Sequence, residues 1–192
     1  MVDEGRAAGC LGRLLLRGVR ASDAHCAAES VADGILSHAY PEVIEHLKRQ
    51  QSDGRETILL SGNIEPLLWP LAARLRCRVV GTCMEEVEGC FTGNIIGPVC
   101  VLEGKRQKLL ESMNPNVRAR RVEERSGLVG CGNSIYDVPF LNEVPHAFVV
   151  RPSSRLRRIA IGNGWDLSFH DVKGSGVSLT SRKLQGGRRH QV

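Results

Sequence analysis

The chain of 192 residues is poorest in long apolar runs. None approaches the roughly 18 uninterrupted apolar residues that a membrane-spanning helix needs, so no such helix is expected. Its first residues, MVDEGRAAG, lack the basic start and apolar stretch of a secretory leader, so the expectation is a cytoplasmic protein with no membrane partner. Aromatic residues are only 4% of the total, too few to suggest rows of stacking platforms for single-stranded nucleic acid. No pair of cysteines forms C-x-x-C, which removes the usual spacing of zinc and dithiol redox sites. The six histidines show no ligand spacing with one another. The seven cysteines are an odd number, several of them in apolar stretches, and they read as reduced thiols of a cytoplasm rather than as a disulfide framework.

Acidic residues are also missing from the end of the chain. After Asp171 there is none, while Lys173, Arg182, Lys183, Arg188 and Arg189 are all basic. Without those five charges the chain holds 21 basic and 21 acidic residues, so the formal net charge of +5 belongs to the tail. Residues 172–192 are rich in Gly, Ser and Arg and are expected to be a flexible basic tail, because they cannot bury enough surface to offset the entropy of ordering. A nucleic-acid partner has only this tail in its favour and is not expected. What remains is ordinary for a globular protein, with 42% hydrophobic and 24% charged residues.

Apolar periodicity supplies the elements. Residues 22–50 read as helical, with Ser22 and Asp23 as candidate caps of a helix through Ala24–Ala32, and Pro41 in the first turn of PEVIEHLKRQQ. ETILLS is a short continuous apolar run of the kind buried on both faces of a parallel sheet. A helix over Pro66–Leu75 and a strand CRVVGT follow. EVEGCFTGNIIGP reads as a hairpin with Gly89 and Gly93 as turn points. Then come a helix over Lys105–Met113, a strand GLVGC, a short helix over Val138–Glu143, a strand HAFVV and a helix over Pro152–Asn163. Strands alternating with helices predict an α/β fold built on a parallel sheet, and ligands of such sheets sit beyond the carboxyl ends of the strands.

Three groups of residues stand at those ends. Ser61-Gly62-Asn63 follows ILL. A hydroxyl followed by a free backbone N–H suits a phosphoryl oxygen; taken alone, a serine before a helix reads first as its cap, and one residue can do both. Lys105 falls in a first helical turn, where the macrodipole disfavours a cation unless it faces solvent or serves an anion. Asn133 and Asp137 flank a loop after GLVGC. Two oxygen-bearing side chains there can hold Mg2+, or Asp137 can simply cap a turn.

The order and spacing of these segments resemble the haloacid dehalogenase superfamily of phosphotransferases, in its phosphoserine-phosphatase-like branch, subfamily IB. ILLSGN is similar to motif II and GCFTGNIIGPVCVLEGKRQKLL to motif III with its approach. GNSIYDVPFL is similar to G-D-S-x-x-D-x-P-x-L of motif IV, and RPSSRLRRIAIGNGWDL to the branch's usual ending. The resemblance covers roughly residues 20–168. It implies a Rossmann-like parallel sheet with an N-terminal helical cap: residues 1–55 as a partial cap region, 56–171 as the α/β core and 172–192 as the tail. It implies Mg2+-dependent hydrolysis of a small phosphomonoester. Ser61, Gly62, Asn63 and Lys105 would contact the phosphoryl group, with Ser61 and Lys105 in the catalytic positions. Asn133 and Asp137 would stand at the metal positions.

Two features depart from the pattern. The family's nucleophile and its acid–base partner lie in a D-x-D motif at the end of the first core strand. No D-x-D occurs in these 192 residues, and Asp3-Glu4-Gly5 is only a faint echo. Asn133 stands where the family carries an aspartate. The missing strand would belong to the middle of the sheet, leaving its neighbours facing a gap, for which LGRLLLRGV (11–19) is a candidate filler. The expectation is therefore a weakened metal site and impaired hydrolysis. The alternative is a non-catalytic relative that binds phosphate or a partner, with self-association left open.

Overall fold

The computed structural model describes residues 15–125 and 127–167. The basic tail (172–192), Asp3-Glu4-Gly5 and residues 11–14 of the candidate filler lie outside the described residues. In chain order the elements are α1 (Ala21–Ser37), α2 (Pro41–Ser52), β1 (Ile58–Ile64), α3 (Glu65–Leu75), β2 (Arg78–Val87) and β3 (Cys90–Ile96). They continue with α4 (Glu103–Ser112), α5 (Pro115–Arg118), β4 (Val129–Gly132), α6 (Val138–Leu141), β5 (His146–Val149) and α7 (Ser154–Gly162). The fold is α/β, as the alternation of elements requires, and no described helix is long and apolar enough to cross a membrane.

The strands form two sheets rather than one. In the first, of order β1-β2-β3, β1 and β2 run parallel and β3 returns antiparallel. In the second, β4 and β5 run parallel in unbroken register from Val129↔His146 to Gly132↔Val149. Among the described residues no strand joins β1 to β4. The two sheets nevertheless share a core: Leu60 of β1 packs against the cluster of Leu109, Phe140, Leu141, Val144, Val149 and Leu156. Ile58, Leu59 and Leu60 are only half-buried, although a continuous apolar run is coded for burial on both faces.

A second cluster of Ala24, Ile64, Met84 and Phe91 joins α1 to the first sheet, with Leu16 and Val19 against it. The described end of the candidate filler is thus accounted for elsewhere. Gly18 donates to the Phe91 carbonyl at 2.7 Å and Phe91 donates to the Val19 carbonyl at 2.9 Å, which places this segment beside β3 and not between β1 and β4. Helix α1 lies along α3 through buried Ala24, Ala28 and Ala32, and Arg74 pairs with Glu29 and Asp33. Helix α2 docks through Gln51, which donates to Thr57 and to the Leu75 carbonyl, and through His46 against the Phe148 ring.

Local details correct several expectations. Ser22 and Asp23 do not cap α1. The helix starts one residue earlier, after Arg20, which makes no side-chain capping bond. The hairpin turns at Glu88-Gly89, both with positive φ (51° and 76°), which suits a tight hairpin turn. Gly93 lies inside β3 and is not a turn point. The six described cysteines are free, as reduced thiols would be.

Candidate functional site

The carboxyl end of β1 is built by a bulge. Leu60 faces Val80, but Ile64 faces Thr82, so β1 spends four steps where β2 spends two. The extra residues throw Ser61-Gly62-Asn63 out of the ladder, a common way to re-aim side chains at a functional edge. The bulge also decides the role of Ser61. The cap of α3 is Ile64, which makes no side-chain capping bond, and Ser61 does not cap the helix. Its hydroxyl instead accepts the Asn63 N–H at 3.3 Å, a contact that leaves the hydroxyl proton uncommitted. Thr82 braces the bulge by donating to the Gly62 carbonyl at 2.8 Å while accepting the Cys100 N–H at 3.1 Å. Gly62 must be small, because a Cβ there would come within 3.0 Å of the Val101 side chain. The bulge therefore abuts the chain that leads into α4.

Lys105 stands at the third position of α4 and Asp137 ends the short 3-10 turn after β4. The structure joins them: Lys105 Nζ donates to Asp137 Oδ1 at 2.5 Å, with side chains 15% and 5% exposed. The other carboxylate oxygen accepts the Asn133 and Ser134 N–H groups, each at 3.0 Å. Ser134 returns the favour by capping the turn at Tyr136. Gly132 makes room for this, since a Cβ there would lie 2.8 Å from the Asp137 Cβ. Lys105 also lies 5.8 Å from the Phe140 ring centre, a cation–π distance. The carboxylate thus offsets the unfavourable position of a lysine near the helix N-terminus, and the ammonium keeps further protons to donate.

The fit to Mg2+ is poor. Asn133 is exposed and offers an uncharged amide, and both oxygens of Asp137 are already engaged. Among the described residues no three His, Cys, Asp or Glu side chains cluster to hold a metal ion. A hard, strongly hydrated dication needs more anionic oxygen than one ion-paired carboxylate supplies.

Three features were not read from the sequence. Thr82 is the brace just described. Glu143 is held by Arg106 Nε at 2.5 Å and by Arg125 Nη1 at 2.7 Å, in a buried cluster next to the site. Lys108 is buried beside Cys83. Lys108 left no periodic signal, since Gly104, Lys105, Glu111 and Ser112 stand three and four residues from it on α4.

The chain has relatives among known proteins. The chain is 28% identical over 144 residues to a phosphoserine phosphatase of Mycobacterium tuberculosis, covering 72% of this chain and 44% of that protein. It is 30% identical over 146 residues to a probable phosphatase of the same species, covering 73% and 48%. A histidinol-phosphatase of Neisseria meningitidis is 27% identical over 139 residues, covering 71% and 62%. The chain spans about half the length of the curated relatives it matches. A Bordetella pertussis protein of unknown function has the same fold, with a TM-score of 0.73 at 20% identity over 86% of this chain and 74% of its own. A family model of haloacid dehalogenase-like hydrolases matches residues 4–142, and the chain belongs to that family.

Proposed function

We propose that this polypeptide binds the phosphoryl group of a small phosphomonoester at the strand ends, and that as it stands it does not turn that ester over. The observation that carries the reading is the Lys105–Asp137 pair at the start of α4, whose incoming chain abuts the Ser61–Asn63 bulge at Gly62. Lys105 would neutralise the phosphoryl oxygens, with the first N–H groups of α4 adding to the positive field. Ser61 would donate its hydroxyl proton, and the Gly62 and Asn63 backbone would line the same oxygens. Asp137 would hold Lys105 in place. Family hydrolysis would need a nucleophilic carboxylate and a metal held by several more. These residues carry no D-x-D, and Asn133 and Asp137 form a thin donor set for Mg2+. Residues 1–55 would act as a cap over the site in a protein of the cytoplasm.

A second reading, Mg2+-dependent phosphomonoester hydrolysis, is favoured by the phosphatase names of the relatives. Hydrolysis of p-nitrophenyl phosphate by the 192-residue chain, with and without Mg2+, separates the two. The expected result is no turnover in a folded protein that still binds inorganic phosphate. Mg2+-dependent turnover that Lys105→Met abolishes would overturn the first reading in favour of the second.

A further inference from the structure

Lys108 is a buried cation that has no carboxylate partner among the described residues. It follows Lys105 by three residues on α4, which puts both on one face of the helix, and it is 9% exposed. Among the described residues its one hydrogen-bond partner is Cys83 Sγ, at 3.3 Å. A thiol is a weak acceptor, so this contact does little to offset the cost of taking an ammonium out of water. Its neighbours on the helix are treated differently: Lys105 has Asp137, and Arg106 has Glu103 and Glu143.

The position of Lys108 matters more than its burial. Cys83 follows Thr82, the residue that braces the Ser61–Asn63 bulge. Lys108 therefore meets β2 one residue beyond the point where Thr82 braces the bulge. Cys100, fully buried and bonded to Thr82 through its N–H, feels both lysines: burial pushes its thiol up to about 11, and Lys105 and Lys108 each pull against that rise. Lys105 and Lys108 thus both act on the segment between β3 and α4; Asp137 pairs with the first, and Glu65, the nearby carboxylate that also acts on Cys100, accepts the Gly81 N–H.

We infer that Lys108 supplies a second positive charge to the anion held at the strand ends, fitting the site to the doubly charged form of a phosphoryl group. This rests on the phosphoryl-binding reading above and adds a binding residue and a charge preference to it. Calorimetric titration with inorganic phosphate, below and above its second ionisation, tests it on the wild type, Lys108→Met, Lys108→Arg and Lys105→Met. In the wild type the dianion should bind more tightly. Lys108→Met should weaken dianion binding about tenfold, the effect of roughly 1.4 kcal/mol, and abolish the preference. It should hold or raise Tm, because an apolar chain of similar shape removes an unpaired buried charge. Lys108→Arg should restore part of the affinity. Phosphate should also slow alkylation of half-buried Cys83 by iodoacetamide and leave exposed Cys26 unaffected. If Lys108→Met binds phosphate like the wild type while Lys105→Met does not, this inference falls and the site reading stands. If the wild type does not bind phosphate, both fall. Should Lys108→Met fail to fold, the alkylation arm decides, and an unprotected Cys83 overturns the inference.

Discussion

Asp137 and Glu143 bracket the short helix α6, both are buried (4% and 9% exposed), and each is gripped by one of two adjacent residues of α4, Lys105 or Arg106. Their surroundings differ. Glu143 lies between two guanidinium groups, and the Arg125 fork also donates to the carbonyls of Arg118, Arg120 and Glu143 itself. Every acceptor there is internal, and the cluster ties α4 to the segment between α5 and β4. Asp137 takes one ammonium and two backbone N–H groups at a strand end, where Lys105 retains donors for something else. The same pairing of charges serves as a rivet when the carboxylate is clamped between two guanidinium groups, and as a holder when its one cationic partner keeps capacity toward a ligand.

The comparison is broken most severely at the rivet. Glu143→Gln leaves buried Arg125 without its anion and should cost about 3 kcal/mol, measured by chemical denaturation. The exposed side of the Arg106 pair adds little to that figure. Phosphate affinity of the folded fraction should stay the same. The acid limb sharpens the point. Burial alone would raise the Glu143 carboxyl, but hydrogen bonds from Arg125 and Arg106 and their charges hold it below the ordinary glutamate range. A carboxylate with a depressed folded value stabilises the fold above its unfolded value, and that contribution is lost as the pH falls through the folded one. The wild type should therefore lose stability in acid below the usual glutamate range, and the loss should be shallower in Glu143→Gln. An unchanged acid limb would remove Glu143 from the account.

A smaller effect is expected at the holder. Gly132→Ala brings a methyl to 2.8 Å from the Asp137 Cβ and 3.0 Å from Oδ2, so the carboxylate must shift away from its backbone donors. We expect a stability cost of about 1–2 kcal/mol and a several-fold loss of phosphate affinity by calorimetry. Full affinity would mean that the position of Asp137 does not govern the site.

Much of this architecture was legible in the sequence, because apolar runs such as ILL, RVV and HAFV report strands directly. The errors came where tertiary structure overrides local pattern. Ser61 precedes a helix in sequence, yet the strand runs on through a bulge and Ile64 becomes the cap, since register with β2 and not helix propensity sets the boundary. Gly93 resembles a turn residue, but the tight turn had already closed at Glu88-Gly89. The family resemblance marked Lys105 and Asp137 as separate positions. Their direct pairing, like the grip of Arg106 and Arg125 on Glu143, joins residues far apart in the chain, and such contacts leave no periodic trace. The burial of Lys108 left none either, because the residues three and four away from it on α4 are not apolar.

The most direct test of the account is calorimetric titration of inorganic phosphate into the wild type, Lys105→Met and Glu143→Gln side by side. The account predicts that Lys105→Met stays folded and loses about tenfold in affinity, roughly 1.4 kcal/mol, while folded Glu143→Gln binds as the wild type does. Equal affinity in Lys105→Met and the wild type would contradict it and would mean that the Lys105–Asp137 pair is a second rivet.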